Sequence, residues 1–243
     1  DIAVVKLKEV KKNQPTTVEI TKSDITTGTE LEGASLKILD KDGNVVDEWT
    51  SVKDQPHVIK RLVVGEEYTL REEIAPYGYL KATDVKFTLE DTAEVQKVEM
   101  KDEVPTALLI INKKGEFLDK VTLLDNAKGT VEHLFEYISG NLTKVTFEVY
   151  AAEDIKAADG VSEDYYKADD LVGSIITDDT GIAQLGDLPV GKYYVKEVAT
   201  DHGYVLDDEI RYVDLSYRDQ DTPVVTYDED WQNARQKVTV QVL

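Results

Sequence analysis

Apolar and polar residues alternate along most of the chain. Val18-Glu-Ile-Thr-Lys22, Tyr68-Thr-Leu-Arg-Glu72, Val85-Lys-Phe-Thr-Leu89, Val145-Thr-Phe-Glu-Val149, Tyr193-Tyr-Val-Lys-Glu197 and Val238-Thr-Val-Gln-Val242 share this pattern. Period-two patterning rich in Val, Thr and Tyr reads as half-buried strands. Between the runs stand turn signals: Asp42-Gly43, Val64-Gly65, Asp179-Thr-Gly181 and Val190-Gly191. Many short strands joined by turns predict an all-β sandwich or barrel. One stretch departs from the alternation. Ala127, Val131, Leu134, Phe135 and Ile138 recur at helical spacing, with Gly140 as a stop. They predict a short helix over 126–139, inserted between strands.

The alternating pattern also repeats at long range. Leu62-Val-Val-Gly65, Tyr68-Thr-Leu-Arg-Glu72 and Gly78-Tyr79 return as Leu188-Pro-Val-Gly191, Tyr193-Tyr-Val-Lys-Glu197 and Gly203-Tyr204. The spacing from Glu to Gly-Tyr is the same in both copies. Before each copy lies an apolar strand holding a lysine, Lys22 or Lys113; after each lies a strand ending in Asp102 or Asn233. The period is too long for a solenoid, so the chain reads as two homologous domains, 15–105 and 106–236, the second with an insertion near 116–141. Residues 1–14 read as the last strand of a preceding domain and 237–243 as the start of a following strand or domain.

Strand parity singles out six polar residues. Side chains two apart share a face. Lys22 is therefore in phase with Val18 and Ile20, Lys113 with Leu109 and Ile111, Glu72 with Tyr68 and Leu70, and Glu197 with Tyr193 and Val195. Asp102 follows Val98 and Met100, and Asn233 follows Tyr227 and Trp231. Charge pointing into a core is costly unless paired or neutralised. Burial favours a neutral amine and a neutral carboxylic acid, and the first is a nucleophile while the second can polarise a carbonyl and move protons. Attack on a neighbouring Asp or Asn side chain would give an amide, releasing water or ammonia. A fold that holds the groups at reacting distance makes the step effectively intramolecular. The plainer reading of each trio is a buried ion-pair network.

Composition narrows the alternatives. A formal net charge of −21 repels phosphate backbones and argues against a nucleic-acid partner. The chain has no cysteine, which removes disulfides and thiolate chemistry. No apolar run is long enough for a membrane helix. His57, His133 and His202 lack metal-ligand spacing, so no metal or cofactor is expected. Asp40-Lys-Asp-Gly43 and Asp178-Asp-Thr-Gly181 read as β-turns rather than calcium loops. The acidic stretch Glu163–Asp170, with Tyr165 and Tyr166, reads as a solvated loop. No nucleophile elbow or similar signature supports a hydrolase.

At this point the sequence resembles a known family, the collagen-adhesin B-type or SpaA-like domains of Gram-positive pilins and adhesins. The resemblance rests on Val18-Glu-Ile-Thr-Lys22-Ser-Asp24, on Leu31-Glu-Gly33-Ala34, and on Tyr68, Glu72, Ala75, Pro76, Gly78 and Tyr79, which match the family's Tyr-x-x-x-Glu-x-x-Ala-Pro-x-Gly-Tyr signature. The second copy is looser: Thr200-Asp201 stands where the signature has Ala-Pro, and Thr143-Lys144 occupies the Ala-Gly positions. The resemblance implies two tandem prealbumin-like (reverse immunoglobulin-like) β-sandwiches. It implies isopeptide bonds Lys22–Asp102 and Lys113–Asn233, assisted by Glu72 and Glu197. It implies a non-enzymatic stalk of an extracellular, cell-wall-anchored protein, whose partners are neighbouring domains of the same chain. The alternative is a module that binds a host matrix protein or a glycan, against which stands the low aromatic content of 8%.

Overall fold

The computed structural model describes residues 16–126 and 130–238. The strand expected from a preceding domain, within 1–14, lies outside the described residues, as do positions 239–243 of the segment expected to open a following one. The chain divides into two compact units. The first comprises 1–104 with 219–221, and the second 105–218 with 222–243.

In the first unit the strands are β1 (Thr17–Asp24), β2 (Ser35–Leu39), β3 (Val45–Thr50), β4 (His57–Lys60), β5 (Glu67–Ile74), β6 (Val85–Thr88) and β7 (Val95–Asp102). They form two sheets, ordered β4-β1-β7 and β3-β2-β5-β6. Alternation drives the packing: Val18, Ile20, Leu36, Ile38, Tyr68, Leu70, Val98 and Met100 point inward and make one core. The first and last strands run parallel and side by side, from Thr17 opposite Val95 to Asp24 opposite Asp102. A parallel neighbour requires a long crossover, and here the second sheet supplies it.

The second unit repeats the plan. Its strands are β8 (Thr106–Asn126), β9 (Thr130–Asn141), β10 (Thr146–Ala151), β11 (Leu171–Ile176), β12 (Ile182–Pro189), β13 (Gly191–Ala199), β14 (Arg211–Leu215) and β15 (Val224–Asn233). The orders β12-β8-β15 and β11-β10-β13-β14 reproduce those of the first unit strand for strand, with β9 added against β8. Leu109, Ile111, Phe147, Val149, Tyr193, Val195, Val213 and Trp231 fill the core. Both halves of the chain are therefore all-β sandwiches of two sheets built on one plan.

The helix expected over 126–139 is not there. Residues 130–141 form β9, which pairs antiparallel with the far half of β8, from Lys114 opposite Asn141 to Asn126 opposite Thr130. Ala127, at the start of the expected helix, lies outside the described residues. The helical periodicity coincided with an equally good alternation. Phe135 and Tyr137 face Val121 and Leu118, while Leu134 and Ile138 face Thr122 and Phe117. A long partner strand can satisfy every backbone group of such a segment, and apolar residues on both faces of the ribbon tip no balance toward helix.

Candidate functional site

Parity carries Lys22 into the core at the end of β1, where it is 4% exposed. Its register partner in β7 is Met100, which sets Asp102 one pleat further along the same inward face. Glu72 enters from β5, in the opposite sheet, and is fully buried, as is Asp102. The three side chains converge. Lys22 Nζ lies 2.9 Å from Glu72 Oε1 and in direct contact with Asp102 Oδ1. The other Glu72 oxygen accepts a hydrogen bond from the Ala82 backbone N–H at 2.7 Å. Burial pushes the Asp102 carboxyl up to about 7, against the pull of the neighbouring Lys22 and with help from Glu72. Burial thus favours the uncharged acid, the form an amine can attack.

The second unit assembles the same trio. Lys113 in β8 is fully buried, with its ammonium 5.6 Å from the centre of the Phe147 ring. Glu197 Oε2, from β13, lies 2.8 Å from Lys113 Nζ. Asn233 ends β15 and is 1% exposed; its Nδ2 donates to Glu197 Oε1 at 2.5 Å and to Thr200 Oγ1 at 2.9 Å. Asp207 N–H reaches Glu197 Oε1 at 3.4 Å. That donor stands ten residues after its glutamate, as Ala82 does after Glu72.

Polar satisfaction separates these two clusters from the rest of the described molecule. Buried side-chain polar atoms normally find partners. Among the described residues, those without a hydrogen bond are Glu72 Oε1, Asp102 Oδ2, Lys113 Nζ, Glu197 Oε2 and Asn233 Oδ1. All five belong to the six residues singled out by parity. Three of them, Glu72 Oε1, Lys113 Nζ and Glu197 Oε2, make ion-pair contacts. A network evolved only for stability would leave fewer such atoms.

Two supporting features escaped the sequence. Tyr79 donates from its hydroxyl to Asp24 Oδ2 at 2.9 Å, and Tyr204 to the Glu116 carbonyl at 3.0 Å. Each tyrosine thereby fastens its unit's first strand just beyond the lysine. Each follows a glycine in the left-handed region, Gly78 at φ 92° and Gly203 at φ 86°, where a side chain would be strained. The recurring Gly-Tyr pair was the signal. The hydroxyl of Thr200 is the second feature, visible in sequence only as a departure from Ala75.

His57 stacks on Trp49 at 4.0 Å and meets Asp47 at 2.9 Å, while His133 lies against Phe135.

Comparison with known proteins bears on the same two segments. The SpaA family model, a prealbumin-like fold domain, matches residues 16–104 and 137–231. No curated protein sequence matches. Among solved structures, the Bacillus anthracis TIE protein is 24% identical over 90% of this chain, with a TM-score of 0.53, and the chain spans 34% of its length. The minor pilin GBS52 of Streptococcus agalactiae is 16% identical over 94% of this chain and 99% of its own, at a TM-score of 0.37. The shaft pilin SpaA of Lactobacillus rhamnosus GG is 14% identical over 93% of this chain and 99% of its own, at 0.33. With both halves matched by the family model and both built on one strand order, the chain belongs to the SpaA family of prealbumin-like fold domains.

Proposed function

We propose that the two units are a structural spacer of a Gram-positive, cell-wall-anchored adhesin or pilin-like protein, each unit locked by an amide bond that it forms within itself. The observation that carries this reading is the recurrence of one cluster. At matching strand positions in both units, a buried lysine meets a glutamate from the opposite sheet beside an Asp or Asn ending the last strand. Family membership supports a structural role, and the reaction is a single-turnover self-modification rather than enzymatic turnover. Neighbouring domains of the same surface protein are the partners this role calls for.

In the first unit the neutral Lys22 amine attacks Asp102 Cγ. A C–N bond forms, a C–O bond breaks, and Glu72 takes the proton from nitrogen and passes it to the departing oxygen, so that one water leaves. In the second unit Lys113 attacks Asn233 Cγ and one ammonia leaves, with Glu197 in the same role. Each bond joins first strand to last and closes nearly the whole unit. Closing the 80-residue separation of Lys22 and Asp102 would stabilise by about 4–5 kcal/mol in the chain-entropy account of crosslinks. A chain without cysteine has no disulfide to supply that closure.

The test is the intact mass of the purified chain under denaturing conditions, followed by peptide mapping. A deficit of one water plus one ammonia is expected, with Lys22 joined to Asp102 and Lys113 to Asn233. An unmodified mass would overturn the covalent reading.

The rival reading, a module for a host matrix protein or a glycan, has one feature to draw on. Tyr150, Tyr194 and Tyr212 form a row across β10, β13 and β14, and Tyr212 is 74% exposed. Yet Tyr150 and Tyr194 stack on each other at 5.1 Å, and their hydroxyls are held by Glu148 and Asp169. Their ring faces serve cross-strand packing, leaving little platform for a sugar.

A further inference from the structure

We infer that Thr200 is a positioning residue for the second bond, holding the Asn233 side chain with its nitrogen turned toward Glu197 and its oxygen turned the other way. The inference rests on the crosslinking reading above and concerns one step within it. An Asp and an Asn pose different problems to the same nucleophile. The two oxygens of Asp102 are chemically equivalent, so either can leave and no rotation of the group matters. The two ends of Asn233 are not equivalent: Oδ1 must stay on the carbon and Nδ2 must depart. A productive arrangement therefore needs something that tells one end from the other.

The structure holds that discriminator. Nδ2 carries two N–H bonds, and both are used, one to Glu197 Oε1 at 2.5 Å and one to Thr200 Oγ1 at 2.9 Å. Oδ1, buried on the other side of the amide, has no hydrogen-bond partner. Turning the amide over would set Oδ1 against the Glu197 carboxylate, break the hydrogen bond to it and force the Thr200 hydroxyl to change from acceptor to donor. Glu197 meanwhile spans the two reacting nitrogens, with Oε2 at 2.8 Å from Lys113 Nζ and Oε1 on the Asn233 nitrogen. The proton balance follows from that bridge. The attacking amine gives a proton to the carboxylate, the carboxylic acid gives one to the departing nitrogen, the C–N bond to Lys113 forms as the bond to Nδ2 breaks, and ammonia leaves. Thr200 touches the leaving nitrogen only as an acceptor. It stands three residues after Glu197, where the first unit has Ala75 three after Glu72. A hydroxyl thus appears in the unit with the unsymmetrical acceptor and is missing from the unit with the symmetrical one.

The experiment follows both mass losses in the full chain after cell-free synthesis, so that the reaction is seen from its start. Thr200→Val keeps the shape and removes the hydroxyl; Thr200→Ser restores it. Ammonia loss is expected to slow about tenfold in Thr200→Val and to return in Thr200→Ser, a factor that corresponds to about 1.4 kcal/mol. Water loss from the first unit, measured on the same molecules, is expected to keep its rate. The Asn233→Asp background makes the acceptor symmetrical, so Thr200→Val should there carry no penalty. Wild-type rates of ammonia loss in Thr200→Val would overturn the role of Thr200, and so would an equal slowing in both backgrounds, which would mark Thr200 as merely structural. A wild-type chain that never loses ammonia would instead overturn the crosslinking reading of the second unit itself.

Discussion

Lys22 is buried because β1 offers it no other side: with Val18 and Ile20 committed to the core, the fifth residue of the run must follow them. The same constraint brings Glu72 and Asp102 inward from two other strands, and the meeting of the three has an electrostatic signature. Burial raises the Asp102 carboxyl, and Lys22 is the group that holds it down. A Lys22→Met variant removes that restraint and also prevents any bond. Its folded state should therefore keep a proton on Asp102 at pH values where the unfolded chain, near the ordinary 3.8, has lost it. The sign follows from linkage: the folded form binds more protons, so stability is fully present below about pH 4 and declines as pH rises toward and beyond 7. Denaturant unfolding of Lys22→Met against Lys22→Met/Asp102→Asn measures it. The first should lose stability relative to the second across that window, and parallel curves would refute the assignment. The inward set was legible in the sequence because parity is a strictly local rule. Thr200 was not, since its hydroxyl acquires meaning only from an asparagine 33 residues away that folding brings beside it.

At the scale of elements, β8 and β9 show where local reading stops. The stretch 130–141 satisfies two periods at once, and the choice between them is made by a partner strand. Neither its helical spacing nor its β-branched content reveals that β8 continues past Gly115 far enough to pair with it. Strands whose apolar residues meet a core left no such ambiguity, and the alternation of β1, β5, β10 and β13 translated directly into their burial patterns. The outer part of the β8–β9 ribbon takes no part in a core. Leu118, Val121, Leu123, Leu134, Phe135 and Ile138 are all exposed, and among the described residues of the ribbon's outer part Phe117, at the base, packs against the second unit's interior. Replacing residues 120–136 by a short turn should therefore change the unfolding free energy of the second unit by less than about 1 kcal/mol, the range of surface changes. Chemical denaturation followed at Trp231 checks this, and a loss of several kcal/mol would make the ribbon part of the folding unit.

Across the whole molecule, the placement of first and last strands decides how load would travel. The parallel pairing of β1 with β7, and of β8 with β15, sets the ends of each unit's fold on neighbouring strands. With Lys22 bonded to Asp102, tension would bypass the 80 residues between them. Pulling on the wild-type chain should then give no extension from the first unit. Glu72→Ala, which leaves the bond unformed, should release about 28 nm at roughly 3.5 Å per residue. Equal extension of the two would count against a mechanical role.

The same strand placement also imposes an order on manufacture. A chain made from its N-terminus delivers Lys22 long before Asp102, and Lys113 long before Asn233. Until β7 arrives, β1 has only β4 beside it in its sheet, and the lysine has no acceptor. A unit broken off before its last strand can fold partly but has no acceptor with which to lock. Closure of the bond would thus certify that a unit is complete, and unfinished copies would stay open to proteolysis.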